Sequence, residues 1–226
     1  KYLWEEILTP DSILDILQNF VHLANEEEYF FNEKTQKIDT KKSEKLIFPR
    51  YHQLNLIKKF RSQIKKDGVG NNYLVQHTTG SGKSYSIGWL SHTLTSLYQK
   101  DGDTKRMFDS IIVVTDRKVL DNQLQKTIDD LKKNKGVVYP VEKGSSDLKK
   151  FLESGKDIII STIQKFPQIS DTIASLGDKR FAVIIDEVHS SQSGQLSKEL
   201  KKSLTKDDDE DELDFEDVIR EEIKNR

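Results

Sequence analysis

The chain has 226 residues, enough for one α/β domain with a sizeable core and some flanking structure. Hydrophobic residues make up 35% and charged residues 33%, the balance of a soluble globular protein, and no apolar run reaches the length that crosses a bilayer. The absence of cysteine excludes disulfides and thiolate metal sites, and the net charge of −2 conceals a mildly basic body: residues 206–226 hold eleven Asp/Glu against four Lys/Arg, leaving 27 acidic and 32 basic residues before them.

The first residues carry acid and lack a signal-peptide cleavage site, so the cytoplasm is the expected compartment. Lys1 has no methionine before it, which suggests a piece of a longer protein. Residues 8–24, "LTPDSILDILQNFVHLA", read as an amphipathic helix, with Thr9 as cap, Pro10 in the first turn, and Ile13, Leu17, Phe20 and Val21 on one face. "NEKTQKIDTKKSEK" is polar and patternless, as an exposed loop or hairpin would be. "YHQLNLIKKFRSQIKK" is a second helix, ended by the glycines of "DGVGNN".

An alternation follows. "NYLVQH", "DSIIVVTD", "GVVYPV", "KDIIISTI" and "RFAVIIDE" are short and apolar almost throughout, as strands covered on both faces are. Helical stretches separate them: "KSYSIGWLSHTLTSLYQK", "KVLDNQLQKTIDDLKKN" and "SSDLKKFLESG". Strand and helix in alternation predict a mostly parallel sheet with helices on both faces. In such sheets ligands gather at the carboxyl ends of the strands, where "HTTGSGKS", "TDRK", "STIQ" and "DEVH" stand. The acidic segment from residue 206 begins as a like-charge run and continues with Leu213, Val218, Ile219 and Ile223 at roughly helical spacing.

Residues 77–84 carry G-x-x-x-x-G-K-[ST] with His77 in place of the first glycine. Gly80 and Gly82 let the backbone approach phosphates closely, so that the N–H groups of Thr79, Gly80, Ser81 and Gly82 surround an anion at a helix start. Lys83 reaches the β and γ phosphates, and Ser84 offers a hydroxyl to Mg²⁺. The alternative is a glycine-rich turn with no ligand. After "AVII", Asp186 is placed to hold the metal shell and Glu187 to orient the attacking water, while His189 and Gln192 are candidates to sense the γ phosphate. The alternative there is a pair of acids solvating a strand end.

Thr115 and Arg117 follow one strand, and Ser161, Thr162 and Gln164 follow another; such groups bind phosphodiesters or cap helices. Gln53, 30 residues before Lys83, has the chemistry to pair with N6 and N7 of adenine and so select ATP over GTP; otherwise it is a helix-surface glutamine.

In that order, "PRYHQ", "QHTTGSGKS", "VVTDRKVLDNQL", "STIQKF" and "DEVHSSQSG" resemble the first RecA-like domain of a superfamily 2 helicase or translocase, and more narrowly the motor (R) subunit of type I restriction enzymes. The resemblance covers roughly residues 47–204, with Val188 and Ser190 standing where the family usually has alanine and arginine. It implies a RecA-like P-loop domain over residues 47–205, preceded by a helical linker segment over 1–46 and followed by an acidic segment over 206–226 that leads toward a second RecA-like domain. It implies ATP and Mg²⁺ as ligands, double-stranded DNA as the track, a bacterial cytoplasmic setting without membrane, and the methyltransferase and specificity subunits of a restriction system as partners. The family's nuclease domain and arginine fingers belong to neighbouring domains, so this stretch alone is expected to bind ATP and turn it over slowly. Another superfamily 2 DNA helicase, a nucleotide-dependent interaction module without turnover, and a small-molecule kinase are the competing readings. The kinase would need a second-substrate pocket and a lid, which nothing in the sequence resembles.

Overall fold

The computed structural model describes residues 3–32, 36–100, 103–115, 118–131, 137–141, 145–162, 176–177 and 179–186. They fall into two units. The first comprises Lys1–Phe108 with Asn122–Val138, and the second Asp109–Asp121 with Tyr139–Arg226.

The first unit begins with a π-type turn (Leu3–Ile7) and helix α1 (Pro10–Asn19). Thr9 occupies the N-cap position, but its side chain makes no capping bond. The buried face of α1 is not the expected one. Ser12, Ile16 and Phe20 are buried, whereas Ile13 and Leu17 are 36% and 54% exposed. Polar contacts with α2 (Tyr51–Asp67) account for the rotation: Lys58 Nζ donates to Ser12 Oγ at 2.7 Å, and Arg61 pairs with Asp15 at 3.1 Å. Docking through polar partners turned the helix away from its most apolar stripe.

Nor does α1 run on to Ala24. From His22 the chain enters an antiparallel hairpin, β1 (His22–Asn32) with β2 (Lys37–Ile47), in continuous register from His22↔Ile47 to Asn32↔Lys37. The polar run "NEKTQKIDTKKSEK" is therefore mostly β2 and the turn before it. Strand pairing over this length outweighs the local helical pattern of residues 20–24.

Helix α2 ends at Gly68 in a positive-φ cap, as its glycines predict. Helix α3 (Lys83–Thr95) packs against α2, and Trp89 Nε1 donates to Phe20 O at 3.0 Å. A Cβ added at Gly88 would meet Leu131 Cδ1 at 2.5 Å, so a larger residue there requires that side chain to shift, while the backbone of α4 (Lys118–Asp130) lies at ordinary contact distance, 3.8 Å at Ile128 Cα. The expected strand "NYLVQH" is absent: Asn71–Thr78 have no regular secondary structure and are mostly exposed. A strand needs a ladder partner as well as β propensity. Here Tyr73 is instead tied to α2, its ring 5.3 Å from Phe60 and its hydroxyl donating to Asp67 at 3.0 Å.

The second unit holds a sheet of four strands in the order β4-β5-β3-β6: β3 (Ser110–Thr115), β4 (Val138–Pro140), β5 (Ile158–Thr162) and β6 (Phe181–Ile185). Both ladders of β3, with β5 and with β6, are parallel. Helix α5 (Ser145–Glu153) sets Leu148 and Leu152 onto Ile112, Val114, Val141 and Ile159, all of them buried. Each such side chain contributes roughly 1.5–3 kcal/mol when fully buried. β3 and β5 are buried along their whole length, which is why they read as unbroken apolar runs rather than alternating ones.

Candidate nucleotide-binding site

The phosphate loop opens α3. Gly80 and Gly82 have φ of +77° and +82°, the left-handed region that glycine enters without penalty. Gly82 is the N-cap of α3, and the loop closes on itself through Ser81 N–H to Thr78 O at 3.2 Å. Gly82 O accepts from the N–H groups of Tyr85 and Ser86, while those of Lys83 and Ser84 lie in the first turn, where no helical acceptor exists. A phosphate is the partner such a turn favours.

The start of α2 holds this loop from the side. Arg50 N–H donates to Gln53 Oε1 at 2.8 Å, the half of a capping box that Gln53 can supply. The other end of the same amide, Nε2, donates to Gly82 O at 3.0 Å and more weakly to Ser81 O at 3.4 Å. His52 Nε2 lies 2.9 Å from Ser81 O, and since a carbonyl only accepts, that nitrogen carries the proton. Gln53 is 3% exposed, so it is not a helix-surface glutamine. Both ends of its amide are engaged within the chain, and reading adenine would require it to give up these bonds.

Sequence spacing did not reveal the grip on the loop. The "HQ" pair sits at the second and third helical positions behind Arg50, and a glutamine three residues after an N-cap is a capping signal that could have pointed to part of it. The ring of His52 also meets the ring of His77 edge-to-face, with centroids 5.3 Å apart. Burial chiefly, then His52 and Lys83, holds the His77 pKa below its usual value.

These residues fit a polyphosphate. They offer two left-handed glycines, a helix start and a lysine, and Ser81 Oγ is buried with no hydrogen-bond partner. Ser84, in the first turn of α3, has the oxygen donor that a hard cation takes. Among the described residues no three His, Asp or Glu side chains gather as a metal site. A Mg²⁺ held with a nucleotide draws most of its oxygens from phosphate and water, so a hydroxyl and one carboxylate suffice from the protein.

In the second unit, Asp186 directly follows β6, and its N–H donates to Val114 O at 3.0 Å. That bond continues the parallel ladder and fixes Asp186 at the carboxyl end of the sheet, beside Thr115. Thr115 and Thr162 are register partners, and Ser161 faces Val114 across the same ladder. The sheet thus brings Thr115, Ser161, Thr162 and Asp186 to one end.

The three hydroxyl residues are buried: Ser161 Oγ donates to Thr162 O at 3.3 Å, and Thr115 Oγ1 has no partner. Arg117, Gln164, Glu187, His189 and Gln192 lie outside the described residues.

A glycine loop that opens a helix with Lys-Ser, in a chain whose parallel strands end in an aspartate, defines a P-loop nucleotide-binding protein of the α/β class. The chain belongs to the SWI2/SNF2 ATPase family, whose model matches residues 52–208. It is also similar to endonuclease subunits of type I restriction enzymes. One from Staphylococcus aureus is 31% identical over 137 residues, 59% of this chain and 14% of that protein. Another, from Staphylococcus saprophyticus, is 28% identical over 155 residues, 67% of this chain and 15% of that protein. A protein of Methanocaldococcus jannaschii carrying the same subunit name is 25% identical over 220 residues, 86% of this chain and 19% of its own length. The chain thus spans less than a fifth of each of these relatives.

Proposed function

We propose that this chain is the ATP-holding part of a motor that moves along double-stranded DNA, as the R subunit of a type I restriction enzyme. The observation that carries this reading is the phosphate loop braced by His52 and Gln53, within a chain of an ATPase family and similar to restriction endonuclease subunits. In this reading the backbone from Thr79 to Ser84 cradles the phosphates and Lys83 neutralises the β and γ groups. Ser84 would offer Mg²⁺ a hydroxyl and Asp186 a carboxylate, and the ion would offset charge on the transferred phosphoryl group.

Glu187 then orients the attacking water, and His189 and Gln192 report the state of the γ phosphate to the rest of the protein. Arg117 and Gln164, two residues after Thr115 and Thr162 in the sequence, take the DNA backbone. The methyltransferase and specificity subunits of the same restriction system complete the assembly. Among the described residues no helix is long and apolar enough to cross a membrane.

Calorimetric titration with Mg·ATP tests the reading. Lys83→Ala removes one partner of a charged hydrogen bond, worth about 1.5–3 kcal/mol, or roughly ten- to a hundredfold in affinity. Equal affinity of the two chains would overturn the assignment of the loop.

A further inference from the structure

The first position of the phosphate loop carries an imidazole where the usual motif carries no side chain. His77 stands there with its ring at 87° to that of His52, centroids 5.3 Å apart. His52 is itself fixed, because its Nε2–H is spent on Ser81 O at 2.9 Å. Within the same eight residues, Ser81 Oγ is buried without a hydrogen-bond partner, an independent sign that the loop awaits a polar ligand.

We propose that His77 is a polyphosphate-binding residue of this loop, positioned by His52 and charged by a proton taken from solution as the phosphates enter. The proposal rests on the phosphate-loop reading of residues 77–84 and adds a ligand group to it. The charged and titratable groups that act on His77 are His52, from the start of α2, and Lys83, from the start of α3. Both disfavour a further positive charge, and burial disfavours it more, so the surroundings of His77 in the free chain favour its neutral form. A triphosphate reverses the sign of that field. Beside several negative charges the imidazolium becomes the favoured form and donates to a phosphate oxygen, a stronger bond than the neutral ring makes.

The pH dependence follows with a definite sign. The bound state holds one more proton than the free state, so affinity rises as pH falls. The gain is complete below the depressed pKa of the free chain and is lost as pH rises through the higher pKa of the complex. One proton limits the slope to about tenfold in affinity per pH unit.

Calorimetry of the full chain with Mg·ATP and with inorganic tripolyphosphate, from about pH 5 to pH 8, tests this. Each titration is run in two buffers of different ionisation enthalpy to count protons. Ionisation of the ligand is common to all chains and cancels between them. Wild type should take up more protons than His77→Gln with both ligands, and His77→Gln should flatten the pH slope. His52→Ala, which frees the His77 ring, should lower the proton count without abolishing binding.

If binding occurs and depends on Lys83, yet wild type and His77→Gln take up the same number of protons, the proposal is wrong and the loop reading stands. If wild type binds neither ligand, both fall. Should His77→Gln fail to fold, as judged by circular dichroism, the ring proton of His77 in wild type, assigned through the backbone, replaces it. An upward move of its titration on adding tripolyphosphate supports the proposal, and an unchanged or lowered midpoint overturns it.

Discussion

Gly82→Ala is the most telling single change in the loop. Gly82 sits at φ +82° and ψ +41°, where an alanine pays roughly 1–2 kcal/mol for the left-handed conformation. Its new Cβ would also lie 2.7 Å from Gln53 Nε2, inside any tolerated contact. A side-chain end can usually swing away cheaply, but this one cannot. Gln53 is buried, its Nε2 donates to Gly82 O, and its Oε1 takes Arg50 N–H. Moving the amide forfeits at least one bond, a net of about 0.5–1.5 kcal/mol.

The two costs together come to about 1.5–3.5 kcal/mol, set against the loop conformation that receives phosphate. Titration with Mg·ATP should therefore show affinity lowered by roughly 10- to 300-fold. The double variant Gly82→Ala/Gln53→Ala separates the terms. With the amide gone the clash disappears and only the backbone cost remains, so the two changes should be non-additive, with the double variant binding better than the sum of the single losses allows. Strictly additive losses would refute the steric argument, and unchanged affinity in Gly82→Ala would refute the loop geometry itself.

Other expectations follow from named contacts. Gln53→Ala should weaken ATP and GTP alike, because its amide holds Arg50 and the loop; a loss confined to ATP would assign the amide to adenine instead. Leu152→Ala, at a fully buried position among Ile112, Val114 and Leu148, should cost about 2–5 kcal/mol in urea unfolding, and a cost well below that range would contradict the packing of α5 on the sheet. Thr115→Val replaces a buried hydroxyl that has no partner, so stability should hold or rise by about 1 kcal/mol; loss of DNA affinity in that variant would show that the hydroxyl reaches a phosphate after all. DNA binding should be independent of sequence and fall steeply with salt, each neutralised phosphate contributing about −0.9 to the log–log slope.

Strands β3 and β5 were legible because burial along their whole length leaves mostly apolar residues, and an unbroken run such as Ile158–Ile160 is favourable only where neither face meets water. The failures have equally specific causes. Residues 72–77 have the composition of a strand, but composition does not supply a ladder partner, and Tyr73 found its contacts in Phe60 and Asp67 on α2. The helical period of residues 8–24 pointed at Ile13 and Leu17, but Ser12 and Asp15 had cationic partners 46 positions away on α2 that no local window contains. β1 was missed for the same reason: its pairing with β2 turns residues 22–24 from a helical end into a strand.

The site divides along the same line. The left-handed glycines and the helix start at Lys83 lie within eight residues, so their spacing alone implies the geometry that cradles phosphate. The brace on that geometry comes from 28–29 residues upstream, where His52 and Gln53 grip the carbonyls of Ser81 and Gly82. A loop rich in glycine is entropically costly to hold in one shape. Two side chains anchored on the rigid start of α2 offset that cost before any ligand arrives, so nucleotide binds a loop already near its receiving form. Changes at the start of α2 should therefore register as changes in phosphate affinity, although neither side chain belongs to the loop.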